Sequence, residues 1–146
     1  MKEDQDRPRP LAFLICQAVI PSPSHGLNLI EIGPDVYTWQ FPNALPPHFA
    51  VCILTGGRPK TVYSTEWGLI DPTDSEVGRI AGPDAPFTSQ IRRVNMFTQI
   101  QAIAPSYQVK QPGRFIVRLY VQGEEVGETD FTIQRSPKPP EALPTS

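Results

Sequence analysis

The chain has 146 residues, of which 39% are hydrophobic, and its 13 basic and 15 acidic residues leave a formal net charge of −2. That length fits one domain able to bury a two-layer core. The charge balance supplies no basic field to neutralise a run of phosphates, so nucleic acid is not expected as a partner.

Residues 1 to 9 mix charge signs and end in Arg7, Pro8 and Arg9, while residues 136 to 146 carry Pro137, Pro139, Pro140 and Pro144. Neither stretch holds enough apolar surface to offset the entropy of ordering it, so both are expected to be flexible tails around a domain spanning 10–135. The 18 prolines mostly flank apolar runs. Proline lacks the amide donor that a central strand needs and breaks helices, so this spacing predicts short strands joined by turns.

Leu11 to Ile20 is apolar on both faces of an extended chain, interrupted only by Gln17, which predicts a central strand buried between layers. The run is too short to cross a bilayer and follows Glu3, Asp4 and Asp6, so neither an anchor nor a signal peptide is expected. A turn at His25 and Gly26 then leads into a second strand, Leu27 to Ile32, and the two should pair as a hairpin. Tyr37 to Phe41 is a short extended piece closed by Pro42, and Phe49 to Thr55 is another apolar strand ending at Gly56 and Gly57. Thr61 to Trp67 and Glu76 to Ile80 carry weaker strand signals among turn residues.

Val94 to Ile103 is expected to form a long strand. Phe115, Val117, Leu119 and Val121 alternate with Ile116, Arg118 and Tyr120, predicting a strand with a core face and a wetter one. Turns at Pro112 and Gly113 and at Gly123 and Glu124 bracket it, and its partner continues through Phe131 and Ile133. Eight or nine strands without intervening helices predict an all-β fold, an antiparallel two-sheet β-sandwich of immunoglobulin-like or C2-like type, with a small closed β-barrel as the alternative. Lys60, Arg79, Arg92 and Arg93 are candidates for guarding exposed sheet edges.

Leu11 to Cys16 followed by His25, Gly26, Leu27, Asn28, Leu29 and Ile30 resembles the first strand and hairpin of a family of small bacterial β-sandwich proteins of unknown function. Pro112, Gly113, Arg114 and Phe115, then Tyr120 to Glu124 and Phe131, resemble that family's last hairpin. His25 departs from the pattern, which has an acidic residue there, as does the longer stretch from Tyr63 to Phe87. The resemblance implies the sandwich fold and carries no activity or site residue.

Chemistry-bearing residues are sparse. His25 and His48 neighbour no nucleophile motif and read as loop histidines. Glu124, Glu125, Glu128 and Asp130 could suggest paired carboxylates, but Glu124, Glu128 and Asp130 are expected to share a solvated strand face opposite Phe131 and Ile133. Asp71, Asp74, Glu76 and Asp84 could gather calcium at a loop, although no calcium-loop motif is present. Gly56 and Gly57 precede Arg58 and Pro59 with no helix to receive a phosphate.

Cys16 and Cys52 lie in apolar runs and read as buried free thiols in a reducing cytoplasm, with a disulfide between neighbouring strands as the alternative. No cofactor, metal or catalytic residue is expected. The chain is expected to be a non-catalytic interaction module or assembly subunit, binding another protein or itself. Tyr37, Trp39 and Phe41 are its candidate contact stripe, because residues two apart on a strand share a face. The alternative is a carbohydrate- or calcium-dependent module using Trp39, Trp67 and the loop from Asp71 to Asp84.

Overall fold

The computed structural model describes residues 7–24, 26–33, 35–38, 40–44, 47–90, 95–103 and 107–137. His25, Trp39, Arg92, Arg93 and residues 138–146, on which expectations above fall, lie outside the described residues. Among the described residues every regular element is a strand, and no helix is long and apolar enough to cross a membrane.

In chain order the strands are β1 (Arg9–Pro21), β2 (Leu27–Ile32), β3 (Asp35–Thr38), β4 (Asn43–Ala44), β5 (Phe49–Thr55), β6 (Thr61–Tyr63), β7 (Thr65–Ile70), β8 (Glu76–Ala81), β9 (Ala85–Phe87), β10 (Met96–Ala102), β11 (Gln108–Val109), β12 (Gly113–Val121) and β13 (Glu124–Arg135). They form a four-stranded sheet ordered β10-β5-β1-β2 and a five-stranded sheet ordered β3-β13-β12-β7-β8. Two short ribbons, β11-β4 and β6-β9, complete the fold. This is the expected all-β sandwich, and among the described residues no sheet closes into a barrel. One pairing departs from the antiparallel expectation: β3 runs parallel to β13, with Val36 opposite Ile133.

Alternation decides which side chains enter the core. Phe115, Val117, Leu119 and Val121 of β12 meet Phe131 and Ile133 of β13, and all are buried in one cluster with Trp67 and Leu69 of β7. From the other sheet, Ile15 of β1 and Ala50, Cys52 and Leu54 of β5 enter the same cluster. Tyr63, Ala85, Phe87 and Val109 bring the ribbons into it. Aromatic contacts tie the layers: Phe13 meets Trp67 edge-on at 5.6 Å, and Phe115 stacks on Phe131 at 5.5 Å.

The β12-β13 hairpin turns on Gln122 and Gly123, both at positive φ, the geometry that matches strand twist in a two-residue loop. Just beyond it β13 bulges: Leu119 faces Gly127 while Tyr120 faces Glu125, leaving Val126 as the extra residue. Side-chain parity therefore reverses across the bulge, with consequences for the acidic cluster described below.

The N-terminal boundary is tighter than the composition implies. Pro8 is buried, Arg9 opens β1 opposite Thr55, and Arg7 forms an ion pair with Glu124. At the other end β13 runs to Arg135, and the Ser136 amide donates to the Thr38 carbonyl oxygen at 2.8 Å.

Candidate functional site

The two outer faces of the sandwich differ in chemistry. On β12, the residues alternating with the core set point away from it, and there Arg114 pairs with Asp130 at 2.6 Å and Arg118 with Glu128 at 2.8 Å. Glu125 adds a longer contact to Arg118 at 3.7 Å. On β8, on the far side of β7, Arg79 pairs with Glu76 at 2.8 Å while its guanidinium reaches across to lie 3.8 Å from the centre of the Tyr120 ring. This is an ordinary solvated sheet face.

The acidic cluster thus serves a charge ladder, with one change from the expected membership. Glu128 and Asp130 share the face opposite Phe131 and Ile133, but the bulge at Val126 places Glu125 beside them instead of Glu124. Glu124 pairs with Arg7.

The outer face of the four-stranded sheet is built differently. On β1, Phe13 and Ile15 point into the core, so Ala12, Leu14, Cys16, Ala18 and Ile20 point out. On β5, the same rule sends Ala50, Cys52 and Leu54 inward and leaves Phe49, Val51 and Ile53 outside, directly across from Cys16, Leu14 and Ala12. β10 presents Met96, Thr98 and Ile100 beside Thr55, Ile53 and Val51. β2 adds Ile30 opposite Ala18 and Ile32 opposite Cys16.

Along these strands the face carries a single charged side chain, Arg9, which stands opposite Thr55 at the end of β1. Its centre is closed by its own packing, since Cys16 and Val51 are buried there although neither belongs to the inner core. Its margins are open: Ile20, Ile30, Ile32, Met96 and Ile100 are 36% to 56% exposed. The buried residues of both ribbons join the inner cluster and none lies on this side.

The candidate aromatic stripe does not form one face. Val36 and Thr38 of β3 are buried, so Tyr37 projects outward and is 57% exposed. β3 ends at Thr38, the chain bends over Gln40 to Pro42, and the Asn43 side-chain amide donates to Thr38 Oγ1 at 2.9 Å across that bend. Phe41, within the bend, packs against the core with the Arg135 guanidinium 4.9 Å from its ring centre. The i, i+2, i+4 rule needs five extended residues, and the strand supplies too few.

Trp67 is buried against Phe13, so it offers no ring to a sugar. The span from Asp71 to Asp84 is not one loop, since β8 occupies Glu76–Ala81; in the turn before it Asp71 accepts hydrogen bonds from Thr73 Oγ1 at 2.6 Å and from the amides of Thr73 and Ser75 at 2.9 and 3.0 Å. The Thr73 hydroxyl, then the Ser75 amide, hold its carboxyl below the usual aspartate value. That carboxylate shapes the β7-β8 turn. Among the described residues no group of three or more His, Cys, Asp or Glu is placed to hold a metal ion.

Both cysteines are free. Cys16 pairs with Phe49 and Cys52 with Phe13, on opposite faces of the sheet, which removes the disulfide alternative. Desolvation raises both thiols, that of Cys52 to about 12. Between the sheets, Gln99 donates to Pro83 O at 2.7 Å and to Thr65 Oγ1 at 3.1 Å, while Gln99 Oε1 and Trp67 Nε1 are buried without a hydrogen-bond partner. An apolar cavity of about 50 Å³ lined by Trp67, Leu69, Ile80, Ile103 and Val117 lies between the sheets, with room for a few atoms only.

No family model and no curated protein matches the chain. A solved structure similar in fold is that of Pseudomonas fluorescens alkylpurine DNA glycosylase AlkC bound to DNA containing an abasic site analog, with a TM-score of 0.50 and 11% identity. The match covers 85% of this chain and 30% of that one, so this chain spans under a third of the glycosylase's length. At that identity the likeness is one of fold alone.

Proposed function

We propose that the chain is a non-catalytic β-sandwich that acts as a protein-interaction module or as a subunit of a larger assembly, engaging its partner through the outer face of β10-β5-β1-β2. The observation that carries this reading is the contrast between the outer faces: one sheet turns an arginine–carboxylate ladder to solvent, the other a mainly apolar surface with Thr98 on its β10 margin and Arg9 at one end. A contiguous apolar patch beyond a few hundred Å² marks an interaction surface on soluble proteins. Two free, buried thiols accord with a reducing, cytoplasmic setting of the kind expected from the sequence. A nucleic-acid role like the glycosylase's draws no support from Arg79, Arg114 and Arg118, whose charges are matched by carboxylates.

The test is thiol protection in cells. Met96→Cys reports on the apolar face and Arg114→Cys on the charged one, and because Cys16 and Cys52 are buried the added thiol gives the signal. With a membrane-permeant maleimide, Met96→Cys should label at least about tenfold more slowly than Arg114→Cys inside the native cell, and at a similar rate in dilute purified protein. Equal labelling of both positions in cells would refute the proposal.

A further inference from the structure

We infer, resting on that reading, that the partner is a second copy of this chain, packed through the same outer face about a two-fold axis. A two-fold interface brings one patch against itself, so any charge near the axis meets its own kind. The outer face of the four-stranded sheet meets that condition, because Cys16 and Val51 at its middle and Ile20, Ile30, Met96 and Ile100 at its margins are all uncharged, and its one charged side chain, Arg9, stands at the end of β1 away from the middle. The outer face of the five-stranded sheet does not, since closing it would desolvate the pairs of Arg114 and Arg118.

Area supports the same partner. Four strands about 4.8 Å apart and seven residues rising about 3.3 Å each make a face of roughly 19 by 23 Å. Counting side-chain relief, two copies packed face to face remove on the order of 1,200 Å² in total, the lower end of stable interfaces. Sheets pack this way in sandwiches, about 10 Å apart and within about 30° of alignment, with their side chains interdigitating. The half-exposed isoleucines and Met96 at the margins supply the relief that would interlock. Such an interface forms a dimer in the micromolar range, which dissociates on dilution.

The experiment is sedimentation of the purified full chain between roughly 1 and 100 μM, where an equilibrium of this strength shifts visibly. Ile100→Glu and Ile30→Glu, on opposite margins of the face, are run beside it. The expected result is a dimer that dissociates on dilution, with each substitution raising the dissociation constant at least about 100-fold while the melting temperature stays within a few degrees. Independently of any substitution, oxidation of Met96 to the sulfoxide, timed against free N-acetylmethionine, should slow as protein concentration rises.

A monomer throughout the range overturns the inference, as does a dimer that survives both substitutions, which would be joined at an edge strand or another surface. A purified monomer whose Met96→Cys thiol is still protected in cells overturns the second copy and leaves the interaction reading standing. Open labelling in cells removes that reading itself.

Discussion

Phe115 is the most informative place to perturb the core. Its side chain is 1% exposed, stacks on Phe131 at 5.5 Å with the rings 15° apart, and meets the edge of Tyr107 at 6.2 Å. Removing a buried phenylalanine side chain costs about 3 to 5 kcal/mol once the cavity is included. Phe115→Ala should fall near 4 kcal/mol, because β12 is an interior strand held by β13 and β7 and cannot collapse into the space. Phe115→Leu keeps most of the apolar volume and forfeits the ring contacts, so roughly 1 to 2 kcal/mol is expected. At about 3 °C per kcal/mol for a chain of this size, the alanine variant should melt about 12 °C lower. Urea denaturation with an unchanged m-value is the assay. A loss below about 1 kcal/mol for alanine, or equal losses for alanine and leucine, would refute the placement of Phe115 in a tightly packed core.

Two further outcomes are expected. A Cβ added at Gly57 would lie 2.3 Å from the ring of Phe87, itself buried in the core, so Gly57→Ala should cost about 1 to 3 kcal/mol in the same denaturation assay, and a neutral result would show that the ring can yield. Asp71 has a folded pKa below its unfolded one, so its contribution to the β7-β8 turn is complete above the usual aspartate value of about 3.9 and is lost as pH falls through the lower folded value. The amide resonances of Thr73 and Ser75 should therefore move only in that acid range and stay still in Asp71→Asn, whereas a midpoint at or above the usual value would contradict the hydrogen-bonded turn.

The terminal hairpin was legible because its signals agree. Strict alternation from Phe115 to Val121 names the inner face, and Gly123 marks the turn, which falls on Gln122 and Gly123, one residue before the expected Gly123 and Glu124. Phe49–Thr55 was equally plain as an apolar strand. The features that were not legible depend on contacts distant in sequence. β4 and β11 are two residues each and carry no period to detect. The parallel pairing of β3 with β13 joins positions about a hundred residues apart. Phe41 left the face of Tyr37 because alternation was carried into a bend, and Glu124 left the acidic face because one bulged residue reverses parity.

The candidate site was hidden for a deeper physical reason. β1 is apolar on both faces, and a strand buried between layers is one arrangement such a run encodes. Its inner face meets the five-stranded sheet as that arrangement requires, while the outer face keeps Ile20 about half exposed. The hydrophobic effect is non-directional, so a sequence records that a face avoids water and not whose atoms cover it. The distinction emerges once register aligns β1, β5 and β10, whose outer positions are scattered over some ninety residues of chain, and shows Arg9 as the one charged residue among them. The ladder of Arg114, Arg118, Glu128 and Asp130 supplies the reference for what solvent-facing positions look like in this same protein. Against that reference, the apolar outer residues of β1 follow the pattern of a core position, and that contrast is what the proposed interaction rests on.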